Sequence, residues 1–113
     1  MFLRATALVV TIAFAASAAA SPHGNAAAGK KKAGTCAACH GDGNKTLNDT
    51  YPKLAGQYPE YLSKAMHEYK SGKRKNAIMG GMAKPLSDQD IADLSAYFSS
   101  LKPEIHDLSG HQR

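Results

Sequence analysis

The chain has 113 residues, with 14 Lys and Arg against 9 Asp and Glu, a formal charge of +5 and two cysteines. That length fits one small domain and excludes a large enzyme or a polytopic membrane protein, and two cysteines exclude a multi-disulfide scaffold. There is no Trp and aromatics are 7%, so the core is thin; small domains of this kind draw stability from a disulfide, a metal or a prosthetic group.

Met1 to Arg4, an apolar stretch from Ala5 to Ala16 and Ser17-Ala18-Ala19-Ala20 have the three parts of a secretory signal, with cleavage expected after Ala20. The apolar run falls short of the ~20 residues of a spanning helix, so the reading is an exported chain with no stable membrane anchor once the signal (1–20) is removed. Residues 21–24 read as a flexible lead, 25–102 as the domain and 103–113 as a loose tail. Charge is uneven: residues 30–84 carry eleven bases and four acids, and residues 85–113 carry two bases and five acids. Lys30-Lys31-Lys32 and Lys73-Arg74-Lys75 are either solvated faces or a patch that steers an acidic partner protein. Nucleic acid is not an expected partner of an exported protein.

Asn25 is placed to cap a helix running from Ala26 towards Cys36. Gly41 to Gln57, rich in Gly, Asn, Asp and Thr, predicts a long loop; its Asn48-Asp49-Thr50 glycosylation sequon is read as a chance tripeptide. Pro59 opens a second helix and Gly72 closes it, with Tyr61, Leu62, Ala65, Met66 and Tyr69 as its apolar stripe. Residues 73–86 show no periodicity, and Gly80-Gly81 argues against a regular element there. Ser87 with Asp90 resembles a capping pair for a third helix, along which Ile91, Leu94, Phe98 and Leu101 recur before Pro103. No strand-like alternation appears. The prediction is an all-α domain of three main helices, whose loops of ~15 residues need something to wrap.

Cys36-Ala37-Ala38-Cys39-His40 carries the chemistry. Spacing i, i+3, i+4 at a helix end brings two thiols and an imidazole to one side. Two thiols can bond to the two vinyl groups of haem while the imidazole ligates the iron, which is the c-type attachment pattern. A thioredoxin-like redox pair would follow a strand, and structural zinc would need two further ligands at their own spacing; the sequence offers neither. The second axial ligand must come from elsewhere. Met1 leaves with the signal and Met66 lies on a helix stripe, where gap-filling is its role. His67, His106 and His111 are rivals on a helix or in the tail. Met79 and Met82 remain, in a Met79-Gly80-Gly81-Met82 segment that allows close backbone approach to a flat cofactor, and residue chemistry does not separate them.

With these motifs the chain resembles a class I cytochrome c of the short bacterial single-haem type, and each half of the bacterial dihaem cytochromes. The resemblance runs through Cys36 to Gly41, Tyr51-Pro52-Lys53-Leu54-Ala55-Gly56-Gln57, Tyr58 to Leu62, Met79 to Met82, Leu86-Ser87-Asp88 and Asp90 to Phe98. It implies the class I cytochrome c fold around one covalently attached haem c. It implies Cys36 and Cys39 as thioether donors, His40 as proximal ligand, Pro52 as the carbonyl that receives the His40 N–H, and Met79 rather than Met82 as the other axial ligand. It also implies a contact between Gly29 and Tyr97. An iron so ligated has no position for a small-molecule substrate. The expected function is therefore a periplasmic one-electron carrier between redox proteins with acidic docking faces, not an enzyme. Lys30, Lys31, Lys53 and Lys84 are candidates for the docking edge. The rival readings are a haem subunit or electron-entry domain of a redox enzyme, and a gas or redox sensor with a labile sixth ligand.

Overall fold

The computed structural model describes residues 23–104. The expected export segment, His106 and His111 lie outside them. Five helices follow in order: α1 (Ala26–Lys32), α2 (Gly34–His40), α3 (Pro59–Ser71), α4 (Ala77–Ala83) and α5 (Asp88–Ser100). No strand occurs among the described residues, so the chain is all-α as expected.

The caps explain most of the boundaries. The Asn25 side chain accepts from the Ala28 N–H at 2.9 Å and starts α1. Pro59 stands at the first turn of α3, and Gly72, at φ 80°, ends it in the left-handed conformation that glycine adopts without strain. Ser87 and Asp90 form a reciprocal capping box at the start of α5, at 3.0 and 3.1 Å.

Two departures from the sequence reading have local causes. The single first helix is divided at Ala33, whose N–H reaches back three residues to the Lys30 carbonyl at 3.4 Å instead of four. Residues 73–86 do contain a regular element, α4, in place of the irregular loop expected there. Asn76 caps it through a 2.9 Å bond from the Met79 N–H, and Ala83 at its end is fully buried. Each interior glycine costs about 1 kcal/mol relative to Ala. Tertiary packing outweighs that cost: a Cβ on Gly80 would stand 3.7 Å from the Tyr69 carbonyl oxygen, so α4 lies close along α3.

α5 is the spine. Its Ile91, Leu94 and Phe98 are buried, and Leu94 and Phe98 join Ala33 and Leu62 in the core, with Cys36, Leu54, Leu86, Tyr97 and Leu101 packed around them. α1 crosses α5 at Gly29. A Cβ there would lie 2.0 Å from the Asp93 carbonyl oxygen and 2.7 Å from Tyr97 Cβ, so the expected Gly29–Tyr97 contact is present and admits only glycine.

The same crossing holds a buried charge that the sequence reading did not single out. Asp93, 3% exposed, accepts from the Asn25 N–H at 2.8 Å, Lys32 Nζ at 2.7 Å and Gln89 Nε2 at 2.8 Å. Lys32 also pairs with Asp90 at 2.8 Å. A buried carboxylate survives desolvation only with this degree of satisfaction.

Candidate functional site

Helix α2 places Cys36, Cys39 and His40 on the wall of a cavity of about 490 Å³, which Pro52, Met79 and Met82 also border. Leu54, Leu62, Leu94 and Phe98 supply apolar walls. Both thiols are free and half-buried, and burial pushes the Cys36 thiol up, opposed by a bond with Thr35.

His40 is 6% exposed, and its Nδ1 lies 2.9 Å from the Pro52 carbonyl oxygen. A carbonyl can only accept, so Nδ1 carries the proton and Nε2 keeps its lone pair. The Tyr51 ring stands edge-on to the imidazole, with centroids 6.1 Å apart. The predicted Pro52–His40 contact is therefore present in the structure.

The 41–57 loop delivers Pro52 by hydrogen bonding rather than by secondary structure. Gly41 turns at φ 57°, where a Cβ would meet the Lys45 carbonyl oxygen at 1.8 Å. Asp42 Oδ1 accepts the N–H groups of Asn44 and Lys45 at 2.9 and 2.8 Å. The Gly43 carbonyl gathers the N–H groups of Leu54 and Ala55 at 2.8 and 3.1 Å, and Leu47 N–H donates to Cys39 at 2.9 Å. Gly56 N–H ties the far end to Phe98 at 3.1 Å. Asn44 straps the loop to the chain after α5: its Nδ2 donates to Lys102 at 3.0 Å and its Oδ1 accepts from the Glu104 N–H at 2.8 Å.

Among the methionines, Met79 is half-buried and Met82 is 38% exposed. Met66, read as a gap-filler, also borders the cavity. His67 does not: it lies on the outer face, 3.8 Å from Asp88. Arg74, Tyr61 and Tyr69 border the cavity as well. The sequence reading took Arg74 only as part of a basic run; the signal within that run was a single arginine among lysines, beside a helix end.

The donor set fits a flat, covalently tethered group. Two thiols, an imidazole with a free lone pair and thioethers share one apolar cavity. The Ser95 hydroxyl, buried in its wall, has no hydrogen-bond partner, as expected of an atom facing a group the protein does not supply. No cluster of three or more His, Cys, Asp or Glu that could hold a bare metal ion exists among the described residues.

Residues 26–102 match the family described as Cytochrome c. The chain belongs to the cytochrome c family. Its prosthetic group is haem c, and the family's chemistry is electron transfer. The chain is 50% identical over 80 residues to cytochrome c-554(548) of Halomonas halodenitrificans, covering 68% of this chain and 96% of that protein. It is 50% identical over 82 residues to cytochrome c4 of Pseudomonas aeruginosa, covering 73% of this chain and 41% of that one. A thiosulfate dehydrogenase electron acceptor of Thiomonas intermedia is 44% identical over 78 residues, covering 68% of this chain and 36% of the relative. The crystal structure of reduced cytochrome c4 from Pseudomonas stutzeri superposes with a TM-score of 0.68 at 46% identity, over 73% of this chain and 48% of the other. The chain thus spans half or less of the length of the cytochrome c4 relatives, and nearly all of c-554(548).

Proposed function

We propose that the chain is a single-haem, one-electron carrier of the periplasm, working between redox partner proteins. The observation that carries this reading is the His40–Pro52 bond of 2.9 Å on a cavity that both Cys36 and Cys39 border. Cys36 and Cys39 would hold the haem through thioethers, and His40 and Met79 would ligate its iron. Haem supplies the one-electron couple. The Pro52 carbonyl fixes the imidazole's tautomer and orientation and raises its basicity. Leu54, Leu62, Leu94 and Phe98 keep water from the couple. Met79 is favoured over Met82 because it is the more buried and because its own N–H is the one Asn76 caps, which fixes its place on α4. A neutral thioether favours the ferrous state and a higher potential than a second imidazole would give.

No described helix is long and apolar enough to cross a membrane. Residues 1–20 have the pattern of an export signal, which supports a periplasmic carrier. The partners are redox enzymes or other carriers, in keeping with a relative named as an electron acceptor of thiosulfate dehydrogenase. The exposed Lys30, Lys31, Lys53 and Lys84 would meet acidic faces on them. With His40 and Met79 both holding the iron, no position would be left for a substrate, and the chain would act as a carrier rather than a catalyst.

The test is the far-red absorption band of iron–thioether coordination in the haem-loaded ferric protein. The unaltered protein and Met82→Ala are expected to show it, and Met79→Ala to lack it. A band that survives in Met79→Ala moves the ligand to another methionine. An unaltered protein without the band, and with ready carbon monoxide binding when reduced, replaces the carrier by an open-iron enzyme or sensor.

A further inference from the structure

The segment from Gly41 to Gln57 has no helix or strand to hold it, yet it keeps the Pro52 carbonyl oxygen 2.9 Å from His40 Nδ1. Its internal bonds converge on Gly43. The Gly43 N–H donates to the His40 carbonyl at 3.0 Å, and the Gly43 carbonyl accepts from Leu54 and Ala55, just beyond Pro52, at 2.8 and 3.1 Å. Space is tight at this pivot: a Cβ on Gly43, at φ 88°, would stand 3.1 Å from the Ala55 nitrogen and 3.2 Å from Leu101 Cδ1. The next residue fixes the pivot against the rest of the molecule. Asn44 Nδ2 donates to the Lys102 carbonyl at 3.0 Å and its Oδ1 accepts the Glu104 N–H at 2.8 Å, across 58 and 60 residues of sequence.

Both polar atoms of one amide are thus in use, the nitrogen as donor and the oxygen as acceptor. An ionised carboxylate of the same shape would lack the donor, and a serine would lack the reach for two partners. The two groups that Asn44 grips straddle Pro103, whose ring restrains the backbone between them. That ring packs on Gly56, where a Cβ would meet it at 2.7 Å. The chain after α5 therefore backs the loop near both of its ends. We propose that Asn44 is a positioning residue for the iron's histidine. It acts through Gly43 and the 54–55 stretch to keep the Pro52 carbonyl in line with the His40 Nδ1–H. The inference deepens the carrier reading and rests on His40 ligating haem iron. A firm acceptor at Nδ1 makes the imidazole a stronger donor at Nε2, which favours ferric iron; an acceptor that wanders weakens that donation and favours ferrous iron. Asn44 therefore holds the reduction potential down.

The experiment compares four haem-loaded proteins: unaltered, Asn44→Ala, Asn44→Ser and Asn25→Ala. It reads the midpoint potential, and the NMR resonance of the His40 ring N–H in the reduced, diamagnetic state. Asn25→Ala removes the side-chain cap of α1 and leaves the loop alone, so it lowers stability without touching the acceptor of His40. Asn44→Ala is expected to raise the potential, to move the ring N–H resonance upfield and to speed its exchange with solvent. Asn44→Ser gives shifts of the same sign and no larger, and Asn25→Ala gives none. An Asn44→Ala protein with unmoved potential and resonance overturns the proposal, even if its melting temperature falls, because a purely structural strap leaves the imidazole as it was. So does an Asn25→Ala protein that shows the same shifts. If Asn44→Ala fails to acquire haem, Asn44→Ser decides on the same two readings. The iron–thioether band reports on the methionine alone. Its absence from the unaltered protein undoes the ligation in the carrier reading, whereas unmoved His40 readings undo only this inference.

Discussion

Gly29 shows how much one missing methyl group can matter. The clash that a Cβ would make there is with the Asp93 carbonyl, which no rotamer change relieves. Gly29→Ala must push α1 off α5, and overpacking of that kind costs about 3 kcal/mol. Denaturant unfolding of the haem-loaded protein is expected to show that loss with the iron–thioether band intact in the folded state; a loss under about 0.5 kcal/mol, the range of neutral surface changes, would show that the helices part freely. At this scale the sequence was informative where chemistry is local. Cys36, Cys39 and His40 declare themselves by spacing, and Gly29 and Tyr97 by resemblance. Asp93 did not, because a lone Asp on a helix reads as solvated; its burial depends on Asn25, which is 68 residues away. Arg74 was hidden for a similar reason, since one of the groups it touches, the Tyr61 hydroxyl, belongs to the far end of α3.

The elements add a dependence on acid. Lys32, first among its causes, pulls the Asp90 carboxyl from 3.8 down to about 2, with Ser87 adding to the effect. Asp93 is lowered in the same direction by the Asn25 N–H, then by Lys32 and Gln89. A folded-state value below the unfolded one means the fold favours the ionised form. For Asp90 the stabilisation is complete above about pH 4 and is lost as pH falls through its folded value of about 2; Asp93 acts in the same direction. The α1–α5 pairing should therefore weaken between those limits, and Asp90→Asn should flatten that part of the stability–pH curve. A variant curve that keeps the same slope would place the acid sensitivity in other carboxylates. The three predicted helices were legible because their caps and apolar repeats agree. α4 was not, since two glycines outweigh a single Asn76 cap until α3 is there to pack against. The division at Ala33 leaves no mark in a sequence of small residues.

For the whole molecule the relevant quantity is the field. The excess of base over acid lies in residues 30–84, which contain the motif, the loop and both methionine candidates, while residues 85–113, α5 among them, carry an excess of acid. A carrier with that asymmetry should meet an acidic partner in a preferred orientation. The second-order rate constant for electron exchange is expected to fall steeply as ionic strength rises from about 0.01 to 0.15 M, where the screening length shrinks from about 30 to 8 Å. A rate that holds constant would mean that apolar contact, not charge, governs the encounter.

Asn44 ties two segments to each other. Its amide grips the backbone at Lys102 and Glu104, and the Pro103 ring sits against Gly56, so close that a Cβ on that glycine would meet it at 2.7 Å. Force applied to the chain just past residue 104 is therefore borne by the loop that presents Pro52 rather than by the last turn of α5. Tethering the protein to an electrode or a fused domain through that end would load the support of the imidazole. A tether on the exposed face of α3, at Lys64 for example, would leave it at rest.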